Sequence, residues 1–383
     1  MDANDQPAAP VDDVITAAEG TPPAAMPSRR AAILRASIIL VVLFVVFVLI
    51  LPQYVDYREV AEAFAELTPA QFVVMTLIAI VGWFVYSQLF TVVIPGLHPL
   101  KSNQAYLILA GIGASIPFGP WNLGIVWVVL RGWGIGAREA TSGVALYGTL
   151  NTLGRFALPV LAGVVVFLSG QVTGELESQY PGVRLITLIS LVIFVGAATV
   201  LFLVVRSRSA ADRLGKVAGR IVYRVLEWLH RPERPDIDGA IHRFQSGVGE
   251  VVHRRGLAGL IMAVVGHIPW IIALTVALRF MGVPEDVLGP VAVIAVYGLV
   301  FVITIIPIAP GGAGVPELLF IAGFTTIAGT GYEAAITAGV FLYRIYWWFI
   351  PIPLAWILLK VARKGLPVLP TATEMRSYTA TGA

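Results

Sequence analysis

Ile306-Pro307-Ile308-Ala309-Pro310-Gly311-Gly312-Ala313-Gly314 echoes Ile116-Pro117-Phe118-Gly119-Pro120-Trp121-Asn122-Leu123-Gly124. The isoleucine, both prolines and the last glycine recur at an offset of 190 residues. Each copy interrupts a long apolar stretch. Each is followed by an arginine inside the next apolar run, Arg155 in the first half and Arg344 in the second. Helices broken at matching places in two halves of a membrane protein point to a transporter's binding site.

The rest of the chain has the composition such a reading needs. Of its 383 residues, 57% are hydrophobic and 13% charged, against about 25% charged in soluble domains. Mean hydropathy is +0.84. Cysteine is absent, which excludes disulfides, thiolate metal sites and thiol catalysis. The histidines at 98, 230, 242, 253 and 267 lack metal-ligand spacing. No metal, cofactor or nucleic-acid partner is expected, and neither is an enzymatic activity.

The expected fold class is an all-α polytopic membrane protein. It has about eight transmembrane helices, including two broken or re-entrant hairpins arranged as an inverted repeat. Residues 1–28 read as a disordered tail, rich in Ala, Pro and Asp. Residues 29–206 form the first membrane half, whose repeat unit is 71–168. A basic loop spans 207–256, the second half spans 257–364, and 365–383 form a second tail. The run after Arg29, Arg30 and Arg35 reads as a retained first span rather than a signal peptide, because no small-residue cleavage site follows it. The apolar stretches 121–130 and 315–328 are too short to span comfortably. Both begin at the breaks.

Loop charge sets the orientation. The 206–256 loop holds eleven Arg/Lys against six Asp/Glu, and Lys360, Arg363 and Lys364 follow the last span. The 53–70 loop is acidic through Asp56, Glu59, Glu62 and Glu66. Both termini and the basic loop therefore belong in the cytoplasm of a multi-pass protein. Counting crossings from there makes 71–168 and 257–361 run in opposite directions, whether the short helices cross or return.

The breaks give the site its sign. Backbone left unpaired in lipid costs several kcal/mol per group, so irregular chain survives at that depth only when buried or wet. Pro310 removes a donor, while Gly311, Gly312 and Gly314 permit tight turning. The helix starts after them offer free N–H groups and a positive dipole end to an anion. Arg155 and Arg344 lie deep in apolar helices and should face a partner or water. Together with two helix ends they suit a phosphate, which guanidinium grips bidentately. Either arginine also reads as buried glue between helices. Glu317 is open to three readings: an ion-pair partner, a proton-coupling carboxylate, or a match to the helix dipole. Asn122, Asn151 and Tyr343 are candidate cavity-lining groups. His267, near Pro269, reads as a satisfied interior histidine.

In 213–231, Leu214, Val217, Ile221, Val225 and Trp228 recur every three or four residues, with Arg213, Lys216, Arg220, Arg224 and Arg231 on other faces. This is a basic amphipathic helix suited to an anionic membrane surface, either gathering lipid or anchoring the topology.

Pro310-Gly311-Gly312-Ala313-Gly314-Val315-Pro316-Glu317, with Glu333-Ala334-Ala335 and Tyr343-Arg344, resembles the transmembrane region of lysylphosphatidylglycerol synthases and their stand-alone flippase-like relatives. In that family a Pro-Gly-Gly-x-Gly-x-x-Glu signature precedes an arginine in the next helix. The first half resembles it through Pro120…Gly124 and Leu130-Arg131-Gly132-Trp133-Gly134, then Arg155. The resemblance covers about residues 30–365 and is more specific in its second motif. It implies a bacterial inner-membrane protein that flips a phospholipid or polyprenyl-phosphate-linked lipid, and adds Arg131 to the substrate-contacting candidates. Residues 365–383 leave no room for an aminoacyl-transfer domain, so synthesis of lysyl-lipid is not expected.

Two other readings compete with a flippase. One is a membrane-embedded glycosyl- or phosphotransferase, for which paired carboxylates or a metal motif are missing from the spans. The other is a scaffold for a separate lipid-modifying synthase. A second copy of the chain or such a synthase are the protein partners compatible with the reading.

Overall fold

A computed structural model of the chain describes residues 57–115, 121–169, 255–304 and 314–363, with isolated positions between 192 and 224. The tails 1–28 and 365–383, the first span, most of 184–205 and most of 213–231 lie outside the described residues. So do 116–120 and 305–313, which include Pro120, Pro310, Gly311 and Gly312.

The described chain is helical, with no strand among the described residues. The helices are α1 (Tyr57–Ala65), α2 (Pro69–Val93), α3 (Pro99–Ser115), α4 (Trp121–Gly132), α5 (Ala137–Leu168), α6 (Ile268–Phe280), α7 (Pro290–Ile303), α8 (Val315–Ala328), α9 (Glu333–Arg344) and α10 (Pro351–Arg363). Helix α6 is the second part of a helical run, Arg255–Phe280, that turns at Gly266 and His267. Four helical stretches are long and apolar enough to cross a membrane: Pro69–Val93, Ala137–Val166, Arg255–Phe280 and Thr330–Ala362. The protein is therefore membrane-embedded. The helices flanking the breaks are shorter, with α4 at 12 residues and α8 at 14.

Helix α2 begins where the sequence dictates. Thr68 caps it by accepting from the Gln71 N–H, the Gln71 side chain accepts from the Thr68 N–H at 2.8 Å, and Pro69 occupies the first helical position. Its outer face carries Val73, Leu77, Ile80, Val81 and Phe84, all exposed. The run before α6 exposes Leu257 and Ile261, and α10 exposes Trp356, Ile357 and Val361. Such apolar faces are costly in water and natural against lipid tails.

Two expectations are corrected. The acidic 53–70 segment is not simply a loop: Tyr57–Ala65 is helical, with Arg58 and Glu62 paired at 2.9 Å one turn apart. Helix α1 packs against α9. The final apolar run is also not one regular helix. Ile345–Phe349 is a π segment, in which Ile350 N–H reaches back to the Ile345 carbonyl. Pro351 explains it. Its missing N–H and its ring are incompatible with regular pairing to the carbonyl four residues back, so the chain widens by one residue per turn before α10 resumes.

The most extensive helix contacts are reciprocal. Helix α3 packs on α10, and α7 packs on α5. Both contacts run through glycine. A Cβ on Gly111 would lie 2.1 Å from the Pro351 carbonyl oxygen, and one on Gly298 would lie 3.0 Å from that of Leu158. Helices α2 and α6 also pack together.

Candidate functional site

Helix α8 starts at Gly314, whose φ of 88° favours a residue without a side chain. The Gly314 N–H donates to Glu317 Oε2 at 2.9 Å. The other carboxylate oxygen accepts from Arg344 Nε at 2.7 Å. Both side chains are buried, Glu317 at 2% and Arg344 at 4% exposure. One carboxylate thus caps a helix whose dipole favours negative charge and neutralises a cation inside the membrane. The Arg344 guanidinium also lies over the Trp348 ring, 5.4 Å from its centroid. Of the three readings of Glu317, the ion-pair partner and the dipole match describe its position.

Arg155 differs. It sits in the middle of α5, half-buried, and its Nε is buried with no hydrogen-bond partner. No acidic residue pairs with it among the described residues. Arg155 follows Asn151, the hydrogen-bond partner of Tyr86, by one turn of α5. The rings of Tyr86, Tyr106, His267, Tyr297, Tyr343 and Trp347 form one cluster.

At the centre of that cluster runs a buried line of hydrogen bonds. Tyr86 Oη donates to Asn151 Oδ1 at 2.7 Å. Tyr86 Oη also lies 3.4 Å from His267 Nε2. His267 Nδ1 lies 2.8 Å from Tyr297 Oη. Four helical elements supply these groups, and His267 is fully buried. Trp347, in the π segment, touches the rings of Tyr86, His267, Trp270, Phe301 and Tyr343. π segments recur at functional sites, where they re-aim side chains.

The other sequence candidates are placed as follows. Asn122 pins α4 to α3, donating to the Leu109 carbonyl at 3.4 Å and accepting from the Leu123 N–H at 2.9 Å. Gly124 is exposed, with open space around its Cα. Arg131 is exposed and donates to the Ile135 carbonyl at 2.7 Å, closing the turn after α4. Arg279 closes the turn after α6 in the same way, donating to the Val283 carbonyl at 2.6 Å. Arg213, Lys216, Arg220 and Arg224 are helical and exposed. Sequence reading singled out Arg155, Arg344 and Glu317, and it noted Asn151, Tyr343 and His267. It missed Tyr86, Tyr297 and Trp347, which look like ordinary aromatic residues of apolar helices.

These features define an all-helical membrane-embedded protein with a buried ion pair and a second arginine, half-buried in α5, that no acidic residue pairs with among the described residues. No protein-family model matches the chain, and no curated protein matches it.

Proposed function

We propose that the chain is a transporter that moves a lipid with an anionic headgroup, a phospholipid or polyprenyl-phosphate-linked lipid, across a bacterial inner membrane. Arg155 carries the reading. A cation within a membrane helix costs at least about 2.5 kcal/mol at the bilayer centre, and this one has no acidic partner among the described residues. A phosphate supplies the missing charge and takes two guanidinium hydrogen bonds. Arg344, already neutralised by Glu317, is a weaker anion ligand than Arg155.

The reciprocal packing of α3 on α10 and α7 on α5 supports an inverted repeat, with the two halves exchanging equivalent helices. Rocking of one half against the other alternates access to a site between them. Loop charge supports cytoplasmic termini. The likeness of Pro310–Glu317 to lysylphosphatidylglycerol synthase transmembrane regions supports lipid as the cargo, with its tails kept in the bilayer.

The test is reconstitution into phosphatidylcholine vesicles holding a trace of fluorescent phosphatidylglycerol, with a membrane-impermeant quencher outside. The native chain exposes inner-leaflet probe to quenching. Arg155→Ala stops this while retaining the native melting profile, and Arg155→Lys retains part of it. Equal exchange by Arg155→Ala overturns the assignment.

A further inference from the structure

The amide of Asn151 has a fixed orientation. Tyr86 gives its one hydroxyl proton to Asn151 Oδ1 at 2.7 Å. Toward His267, 3.4 Å away, the Tyr86 oxygen is therefore an acceptor, so Nε2 carries the imidazole proton. The lone pair is then on Nδ1, where the Tyr297 hydroxyl donates at 2.8 Å. Reversing the line would leave the proton of the fully buried Tyr297 hydroxyl with no acceptor among the described residues. The line thus runs from Tyr297 through His267 and Tyr86 to Asn151, and it ends on the amide oxygen. The Asn151 NH2 is the remaining prong, and it makes no hydrogen bond among the described residues.

Arg155 stands four residues further along the continuous helix α5. Side chains at that spacing share a helix face, with Cβ atoms about 5–6 Å apart. Both residues are half-buried, and Arg155 Nε has no hydrogen-bond partner. The helix is uncovered beside them. Thr152 is exposed, and a Cβ on Gly148, one turn before Thr152, would meet open space. Two neighbouring donor groups without an acceptor are costly inside a membrane unless a ligand brings one.

We infer that Asn151 is a headgroup-binding residue, whose NH2 joins the Arg155 guanidinium in clamping the phosphate of the lipid. Tyr86, held by His267 and Tyr297, is a positioning residue: it occupies the amide oxygen and so keeps the NH2 for the ligand. The inference rests on the transporter reading above and gives its site a second ligand group. The guanidinium supplies charge and two donors. The amide adds a donor without adding charge.

The experiment is titration calorimetry on the full chain in phosphatidylcholine nanodiscs, with a melting curve beside each titration. Short-chain dihexanoylphosphatidylglycerol is the probe. Asn151→Ala weakens its binding about 10-fold, the worth of a hydrogen bond to a charged group. Asn151→Asp keeps an oxygen for the Tyr86 proton and puts a second oxygen where the NH2 was. It therefore melts no lower than the native chain yet loses binding. Tyr86→Phe gives a smaller loss in the native chain and no further loss in Asn151→Ala, because the hydroxyl acts through the amide. Asn151→Ala and the double variant carry the test if the aspartate variant does not fold. Native affinity in Asn151→Asp or in Asn151→Ala overturns the clamp. Additive losses from Tyr86→Phe and Asn151→Ala overturn the positioning role. Both results leave the transporter standing. Absence of binding in the native chain, or binding unaffected by Arg155→Ala, overturns the transporter reading and the clamp with it.

Discussion

Arg344 Nε and Glu317 Oε1 lie 2.7 Å apart with both side chains buried, and the second oxygen of the same carboxylate accepts from the N–H of Gly314, the residue that caps α8. One residue thus ties a helix start to a cation on the next helix. Neutralising it breaks both ties.

Glu317→Gln leaves the Arg344 charge buried without its counter-ion. Loss of one partner of a buried pair costs about 3–5 kcal/mol. The expected outcome is a large drop in melting temperature in detergent. The double variant Glu317→Gln/Arg344→Met regains most of the loss, because no uncompensated charge remains. A double variant no more stable than the single one counts against the pairing.

Arg155→Met is expected to behave in the opposite way. It removes a cation with no acidic partner among the described residues rather than one half of a pair, so the fold keeps or gains stability while lipid exchange stops. A structural arginine shows the reverse pattern, and a melting curve run beside the vesicle assay separates the two.

Gly111→Ala places a methyl where the Pro351 carbonyl sits, a backbone atom that cannot rotate aside. Overpacking of this kind costs about 1–3 kcal/mol. Gly124→Ala meets open space in a helix, where alanine is favoured over glycine by about 1 kcal/mol. Thermal unfolding of the two variants should move in opposite directions.

Trp347→Ala empties the hub where five rings meet. The expected cost is about 3–5 kcal/mol, with near-ultraviolet dichroism lost before helix content. Trp348→Ala removes the ring beneath Arg344 and costs less. Equal losses in the two variants argue against Trp347 as the hub.

Local sequence carried part of this architecture. The short helices after each break, the capping carboxylate three residues after Gly314, and the two interior arginines all follow from neighbours within a turn or two. The π segment before Pro351 was not read, because its cause is the pairing of a carbonyl four residues back. The hydrogen-bonded line could not be read this way. Its links join residues 65, 181 and 30 positions apart, and tyrosine in an apolar helix has no periodicity that reveals a partner on another helix. That Glu317 pairs with Arg344, while no acidic residue pairs with Arg155 among the described residues, was hidden for a similar reason. Glu317 stands at 317, and Trp127 occupies the position 190 residues earlier, so the repeat carries no second carboxylate there.

The packing of α7 on α5 and of α10 on α3 has a consequence for biogenesis. Helix α5 emerges from the ribosome long before Pro290–Ile303 exists to cover Leu158 and Ala162. Similarly, Gly111 waits for Pro351, which arrives near the end of synthesis. The first half therefore enters the bilayer with its packing faces open, and a chain stopped at the central basic segment should be held by insertion chaperones or degraded. Coexpression of the two halves as separate polypeptides should restore a protease-resistant product that neither half yields alone.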